Sequence, residues 1–395
     1  MRVCWSVAFF LFLALTVQAQ ETAVLAPLPL LRELGAFVLS ADKEIQVGLS
    51  LLNQEDLQRL SELQHRKNRC GGYEVLSKAA WENPNLLAEM KTNFLHQRAS
   101  GSYRFHLSVR PEIVAALQEL KEADLRSEVL WLSSFHDRDH RKKDPNAHVR
   151  AFAQKIEELM KTYSGRWSLE QIVHENTNQH SLHLRLVGDL RPREVVVLGA
   201  HLDSINWIDS EEVAPGADDN ASGSSNIFDA LRLMARRAPP ERTVDFFWYA
   251  GEETGLLGSG EIATTYKNSG VDVVSVLQLD MTLFAGSGER VVGSIEDFTS
   301  SWLRNYFSAL NEAYLGLKIE AGECGYGCSD HASWFRQGFP AFMPFEAAPE
   351  NANQNIHSAH DSVESRANFP HALEFSKIAV IYAMDMANST LREPK

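Results

Sequence analysis

Residues 194–204 read EVVVLGAHLDS. Three valines and a leucine follow Glu194 without a break, which predicts a strand covered on both faces, because a strand open to water on one side would alternate. Gly199 ends the apolar run, and His201 and Asp203 come directly after it. Two later stretches repeat this form: 244–249 (VDFFWY) leads into Glu252 and Glu253, and 273–279 (VVSVLQL) leads into Asp280. Residues 222–236, 256–266, 298–314 and 370–387 carry apolar positions at helical spacing. Upstream, 111–123 and 147–162 predict helices, while 167–175 and 181–187 predict a hairpin that turns at 176–180. Apolar strands alternating with helices predict an α/β fold with a mixed, mostly parallel central sheet and helices on both faces. Ligands of such sheets gather at the carboxyl ends of the strands, which is where His201, Glu252, Glu253 and Asp280 fall.

The chain has 395 residues, 44% of them hydrophobic, enough for one large domain or two unequal ones. Asp and Glu total 52 against 38 Lys and Arg, a formal net charge of -14, which argues against nucleic acid as a partner. Residues 1–19 read as a signal peptide: Arg2, an apolar run over 3–17, then Val17-Gln18-Ala19 with small residues for cleavage before Gln20. The run is short of the roughly 20 residues a membrane span needs. A secreted or periplasmic product without a membrane anchor is therefore expected. Residues 20–105 hold scattered amphipathic pieces, such as 55–63, punctuated by Arg66, Lys67, Arg69 and Arg98, and no motif that carries chemistry. They predict a pro-segment or a small accessory domain, ahead of a regular domain over 106–395.

Five segments carry the chemistry. His201 and Asp203 of GAHLDS offer an imidazole ligand and a carboxylate to orient it. Asp218 and Asp219 of APGADDNASG lie in an acidic turn that opens a helix, where a simple N-cap is the alternative. Glu252 and Glu253 of YAGEETGLLGS end a buried strand and repel one another unless a cation is near; alternatively they face a helix dipole. Asp280 of LQLDMT follows a nearly apolar strand and needs a partner. NIHSAHDS adds His357 and His360. Imidazole and carboxylate without thiolate suit zinc, and also cobalt or manganese. Once a signal is removed, Cys70, Cys324 and Cys328 remain. The last two, in ECGYGCSD, allow a disulfide, two free thiols or two metal ligands.

Taken together, GAHLDS, PGADDNASGS, GEETGLLGS, LQLDMT, CGYGCSDHASWFRQGFPAFMPFE and NIHSAHDS resemble, in order, the secreted di-zinc aminopeptidases of the M28 family, nearest to its bacterial leucyl-aminopeptidase branch. The resemblance spans about 125–390. It implies a monomeric hydrolase that removes residues from the free N-termini of peptides with two Zn2+ ions per chain. His201 and Asp280 would hold one zinc, Glu253 and His357 the other, and Asp218 would bridge them through a cis bond to Asp219. Glu252 would be the general base and Asp203 would orient His201. Cys324 and Cys328 would pair, projecting Tyr326 towards substrate, and Met281, Phe345 and Ile356 would wall the side-chain pocket. An apolar N-terminal residue would be preferred.

The sequence also departs from the pattern. Residues 347–356 (AAPENANQNI) lack the aromatic residues expected beside the pocket, which predicts a wider or more polar one. Residues 136–145 (HDRDHRKKDP) read as a solvated charged loop, with contact to a peptide carboxylate as the alternative. The competing functions are a one-zinc glutaminyl cyclase and an inactive binding ectodomain. The intact HLDS, ADDN and CSDHASW segments argue against the first and the complete ligand set against the second.

Overall fold

The structure is a computed structural model that describes residues 21–67, 72–98, 103–105 and 107–393. The expected signal peptide and Cys70 lie outside the described residues. Among those described, no helix is long and apolar enough to cross a membrane.

The N-terminal segment forms a four-stranded antiparallel sheet of β1 (Thr22–Pro27), β2 (Val38–Asp42), β3 (Val47–Leu52) and β4 (Glu74–Val75), in the order β2-β3-β1-β4. The helix Gln54–His65 starts where the Asn53 side chain accepts the Asp56 amide, so one orphan donor of its first turn is satisfied. This segment is not a free appendage. Val24, Tyr73 and Val75 pack with Leu257 of the main body, the Val75 amide donates to the Gly255 carbonyl at 3.0 Å, and Arg336 meets Glu74 at 2.7 Å with both side chains buried.

The main body is built on six strands: β5 (Trp167–Ile172), β6 (Ser181–Leu186), β7 (Arg191–His201), β8 (Arg242–Tyr249), β9 (Asp272–Gln278) and, after β10 (Val291–Ile295) and β11 (Lys318–Gly322) of a third sheet, β12 (Ala341–Phe342). Their order is β12-β9-β7-β8-β6-β5. Pairing is parallel from β12 to β8 and antiparallel at β6 and β5, the mixed, mostly parallel sheet the sequence predicts. A short β13 (Pro344–Phe345) completes the third sheet beside β10. Every side chain of β8 is buried, consistent with cover on both faces.

Helices cover both faces. Gly223–Met234 and Phe369–Ala387 pack with Val196, Leu198, Phe246 and Trp248, whereas Leu257–Asn268 and His331–Arg336 pack with Val195, Val197, Phe247 and Tyr249. Alternate residues of β7 and β8 thus feed opposite layers, as the period of two requires. Truncating a fully buried ring such as Phe246 to alanine would cost about 3–5 kcal/mol. The single helix expected over 111–123 is two, Pro111–Glu119 and Glu122–Ser133, because Leu120 turns extended (ψ 135°) and buries its side chain between them. Residues 194–198 form only the middle of β7, whose polar first residues the apolar pattern does not mark.

Candidate metal centre

The carboxyl ends of β7, β8 and β9 are brought level by parallel pairing, with His201 opposite Tyr249 and Gly199 opposite Gln278. His201 ends β7. Asp280 lies two residues beyond β9. Glu252 and Glu253 occupy a tight turn, Glu252–Thr254, after β8. Gly251 (φ 61°) and Gly255 (φ 116°) flank that turn in the left-handed region, where a Cβ is unfavourable. That geometry turns the chain back sharply and leaves both glutamates buried.

His201 Nε2 lies 3.1 Å from Asp219 Oδ1 and 3.3 Å from Asp280 Oδ1. His357 Nε2 lies 3.1 Å from Asp219 Oδ2 and 2.9 Å from Glu253 Oε2. The two oxygens of Asp219 therefore face one imidazole each, a bridging position between two ligand sets. Of the five expected ligands the structure brings together His201, Glu253, Asp280 and His357, with Asp219 completing the group.

Asp218 is not in that position. Its Oδ1 accepts the Leu283 amide at 2.8 Å and its Oδ2 the Asn353 side-chain amide at 3.0 Å, so both oxygens are committed away from the imidazoles. The cis peptide is likewise Asp219–Asn220 rather than Asp218–Asp219. The expectation for Asp218 is corrected by one residue. Asp361 anchors the turn by accepting the amides of Asp218 and Asp219 at 3.0 Å each, and the Leu283 amide and Asn353 hold the Asp218 side chain away from the imidazoles.

Asp203 lies beside His201. The His201 Nδ1 lies 3.2 Å from the Asp203 carbonyl and 3.4 Å from its carboxylate. That carboxylate also accepts the amides of Glu252 and Glu253 at 3.0 and 3.1 Å. One side chain thus ties the end of β7 to the glutamate turn after β8. On the other flank, the Ser329 hydroxyl donates to Asp280 Oδ2 at 2.6 Å. His357 (φ 55°) and Met281 (φ 51°) both take left-handed backbone without being glycine, at a cost of about 1–2 kcal/mol each. His331 and His360 stay outside the cluster; the His331 Nε2 faces the Asp297 carbonyl at 3.1 Å.

The charged loop over 136–145 is only partly solvated. Arg138 is fully buried and donates to the carbonyls of Leu132, Leu202, Pro215 and Gly216 at 2.6–3.1 Å. It links the loop after His201 to the turn before Asp218. A buried guanidinium satisfied by carbonyls was not legible in a run of alternating charges, and neither were the supports supplied by Asp361, by Asn353, and by Glu346, which accepts the Asn353 amide at 2.8 Å.

The electrostatics fit a cation. Burial raises the Glu252 carboxyl well above its usual range, with Asp280, Asp330 and Glu253 adding to the effect against His201. Burial also pushes Glu253 up to about 7, against the pull of His357. Burial opposes ionisation of Asp219 too, but its bonds to His201 and His357 outweigh that and hold it low. Among the described residues Glu252, Glu253 and Asp280 form no ion pair with Lys or Arg, and both Glu252 oxygens lack a hydrogen-bond partner. Buried carboxylates without compensation are costly. Two triads of ligand atoms, His201–Asp219–Asp280 and His65–Glu253–His357, each lie within 4.8 Å of one another. Nitrogen and oxygen donors in buried triads suit zinc.

Beside Asp280, Met281, Tyr326, Phe345 and Ile356 line a cavity of about 170 Å³. Cys324 and Cys328 form a disulfide on its wall. Residues 347–356 contribute Asn353 and Gln354 to the lining, so one side of the cavity is polar.

Comparison with known proteins matches residues 182–379 to peptidase family M28. The "probable leucine aminopeptidase" of Trichophyton verrucosum (strain HKI 0517) is 33% identical over 309 residues, covering 76% of this chain and 83% of that protein. The crystal structure of the LapA aminopeptidase of Legionella pneumophila is similar with a TM-score of 0.79 at 25% identity, covering 94% of this chain and 99% of that one. LapB of the same organism has the same fold, with a TM-score of 0.78 at 21% identity over 94% of this chain and 100% of that one. At such coverage the likeness takes in most of the N-terminal segment.

Proposed function

This chain belongs to peptidase family M28 and is a zinc aminopeptidase, and from that premise we propose that it holds two zinc ions, on His201–Asp280 and on Glu253–His357, with Asp219 shared between them. The bridging reading rests on one observation, the two Asp219 oxygens each facing a different ligand imidazole. Zinc so held would supply Lewis acidity, lowering the pKa of water and polarising the scissile carbonyl.

The chain's own groups would do the rest. Glu252, with two buried oxygens lacking protein partners, takes the proton of the attacking water and returns it to the leaving amine. Asp203 keeps His201 and the glutamate turn in register, so the base and the ligands move together. The cavity walled by Met281, Tyr326, Phe345 and Ile356 takes the side chain of the N-terminal residue, and its apolar walls favour an apolar one. Asn353 and Gln354 on its other side argue for tolerance of mid-sized polar residues as well. The leading apolar segment supports export, with the enzyme acting on peptides outside the cytoplasm.

Zinc quantification with a panel of aminoacyl anilides tests this reading. The expected result is two zincs per chain, activity lost on chelation and restored by zinc, and faster turnover of Leu or Met than of Asp or Lys substrates. One zinc per fully active chain would remove the shared-carboxylate mechanism.

A further inference from the structure

The ligand triad on the Glu253 side contains a histidine from outside the main body. His65 is the last residue of the helix Gln54–His65 in the N-terminal segment, and it is only 6% exposed. Its ring stacks on Trp207 (centroids 4.9 Å apart, planes at 12°) and meets the edge of the His357 ring at 4.8 Å. His65 Nδ1 lies 2.7 Å from the Ser61 carbonyl, with the Ser61 hydroxyl at 3.3 Å. A carbonyl can only accept, so Nδ1 carries the proton and Nε2 presents a bare lone pair. Nε2 is buried and has no hydrogen-bond partner. A histidine with one nitrogen fixed by a backbone carbonyl and the other buried without a partner, offering a ligand atom within 4.8 Å of those of Glu253 and His357, is arranged as metal-binding histidines are.

We propose that His65 is a further protein ligand of the centre, joining Glu253 and His357 in holding one metal ion, so that the N-terminal segment completes the donor set of that ion. The proposal rests on the zinc reading of the site given above. The docking contacts support it, because they fall on the residues that follow the glutamate turn. The Val75 amide binds the Gly255 carbonyl, and Val24, Tyr73 and Val75 pack on Leu257. The buried Glu74–Arg336 pair adds a second anchor. These contacts set His65 in register with Glu253. Release of the segment would withdraw the imidazole from that ion.

The test uses the full-length chain loaded with cadmium-113 and labelled with nitrogen-15 histidine. Coupling of the metal to three histidines, one of them removed in the spectrum of His65→Gln, is the expected result. Coupling to two histidines overturns the proposal while leaving the zinc centre intact, whereas coupling to none overturns both. The wild-type spectrum decides this even where the variant folds poorly. Chelator competition gives an independent readout: His65→Gln should lose one zinc about 10- to 100-fold more readily than the wild type. Unchanged zinc retention in the variant would contradict the assignment.

Discussion

Replacing Glu252 by glutamine separates the proposed base from the proposed ligands. The side chain keeps its shape and sits on a backbone held from two directions, by the Asp203 carboxylate through the amides of residues 252 and 253 and by the left-handed glycines on either side. Its neighbour Glu253, not Glu252, belongs to the ligand triad, so zinc content should stay at the wild-type value. A carboxamide cannot accept the water proton. Loss of a positioned general base costs about 10²–10⁴-fold in rate, or about 3–5.5 kcal/mol of transition-state stabilisation at 1.36 kcal/mol per decade. That loss should appear in kcat with KM nearly constant, since Glu252 is not expected to hold the substrate. Stability should not fall, because a buried carboxylate lacking a partner gives way to a neutral group. The assay is steady-state hydrolysis of leucine p-nitroanilide by matched zinc-loaded samples, with metal content measured on the same samples. A kcat within about fivefold of wild type, well under the single decade that 1.36 kcal/mol represents, would refute the role of Glu252. Loss of zinc would make it a ligand instead.

Arg138→Lys should lower stability by about 2–4 kcal/mol, since a lysine ammonium cannot serve all four carbonyls and leaves at least one buried acceptor unmet; urea denaturation monitored by tryptophan fluorescence reads it. Acid stability should reveal Asp245, which is buried but held down to about 2 from 3.8 by Arg185 and His183. A depressed carboxyl contributes stability that is complete above its unfolded pKa and lost as pH falls through the folded one. About 2 kcal/mol should therefore disappear between pH 3.8 and 2 in wild type, and that limb should be absent in Asp245→Asn when the two are unfolded in parallel at each pH. Asp218→Asn should keep more zinc than Asp219→Asn in equilibrium dialysis, because only Asp219 faces both imidazoles; equal losses would contradict the correction made to the ligand set.

The central sheet was legible because its strands are continuous apolar runs that end in chemistry, as EVVVLGAHLDS does. The same rule places His201, Glu252, Glu253 and Asp280 at one rim. Adjacent residues of like type defeated it: Asp218 and Asp219 differ in what their side chains meet, and the partners that hold Asp218 aside, Leu283 and Asn353, lie 65 and 135 residues along the chain. Arg138 was hidden for a related reason, because a charged run gives no sign that one of its members is buried among carbonyls. The N-terminal sheet escaped because its strands are short, and one ends in Pro27. His65 stands in ELQHRK with nothing around it to mark a ligand; only the folding of its helix against Trp207 and His357 brings it to the centre.

Diffraction from zinc-loaded crystals at the zinc absorption edge tests the central claim most directly. Two anomalous peaks with the Asp219 carboxylate between them, one beside His201 and Asp280 and the other beside Glu253 and His357, are the predicted result. A single peak, or a pair bridged by Asp218, would contradict it.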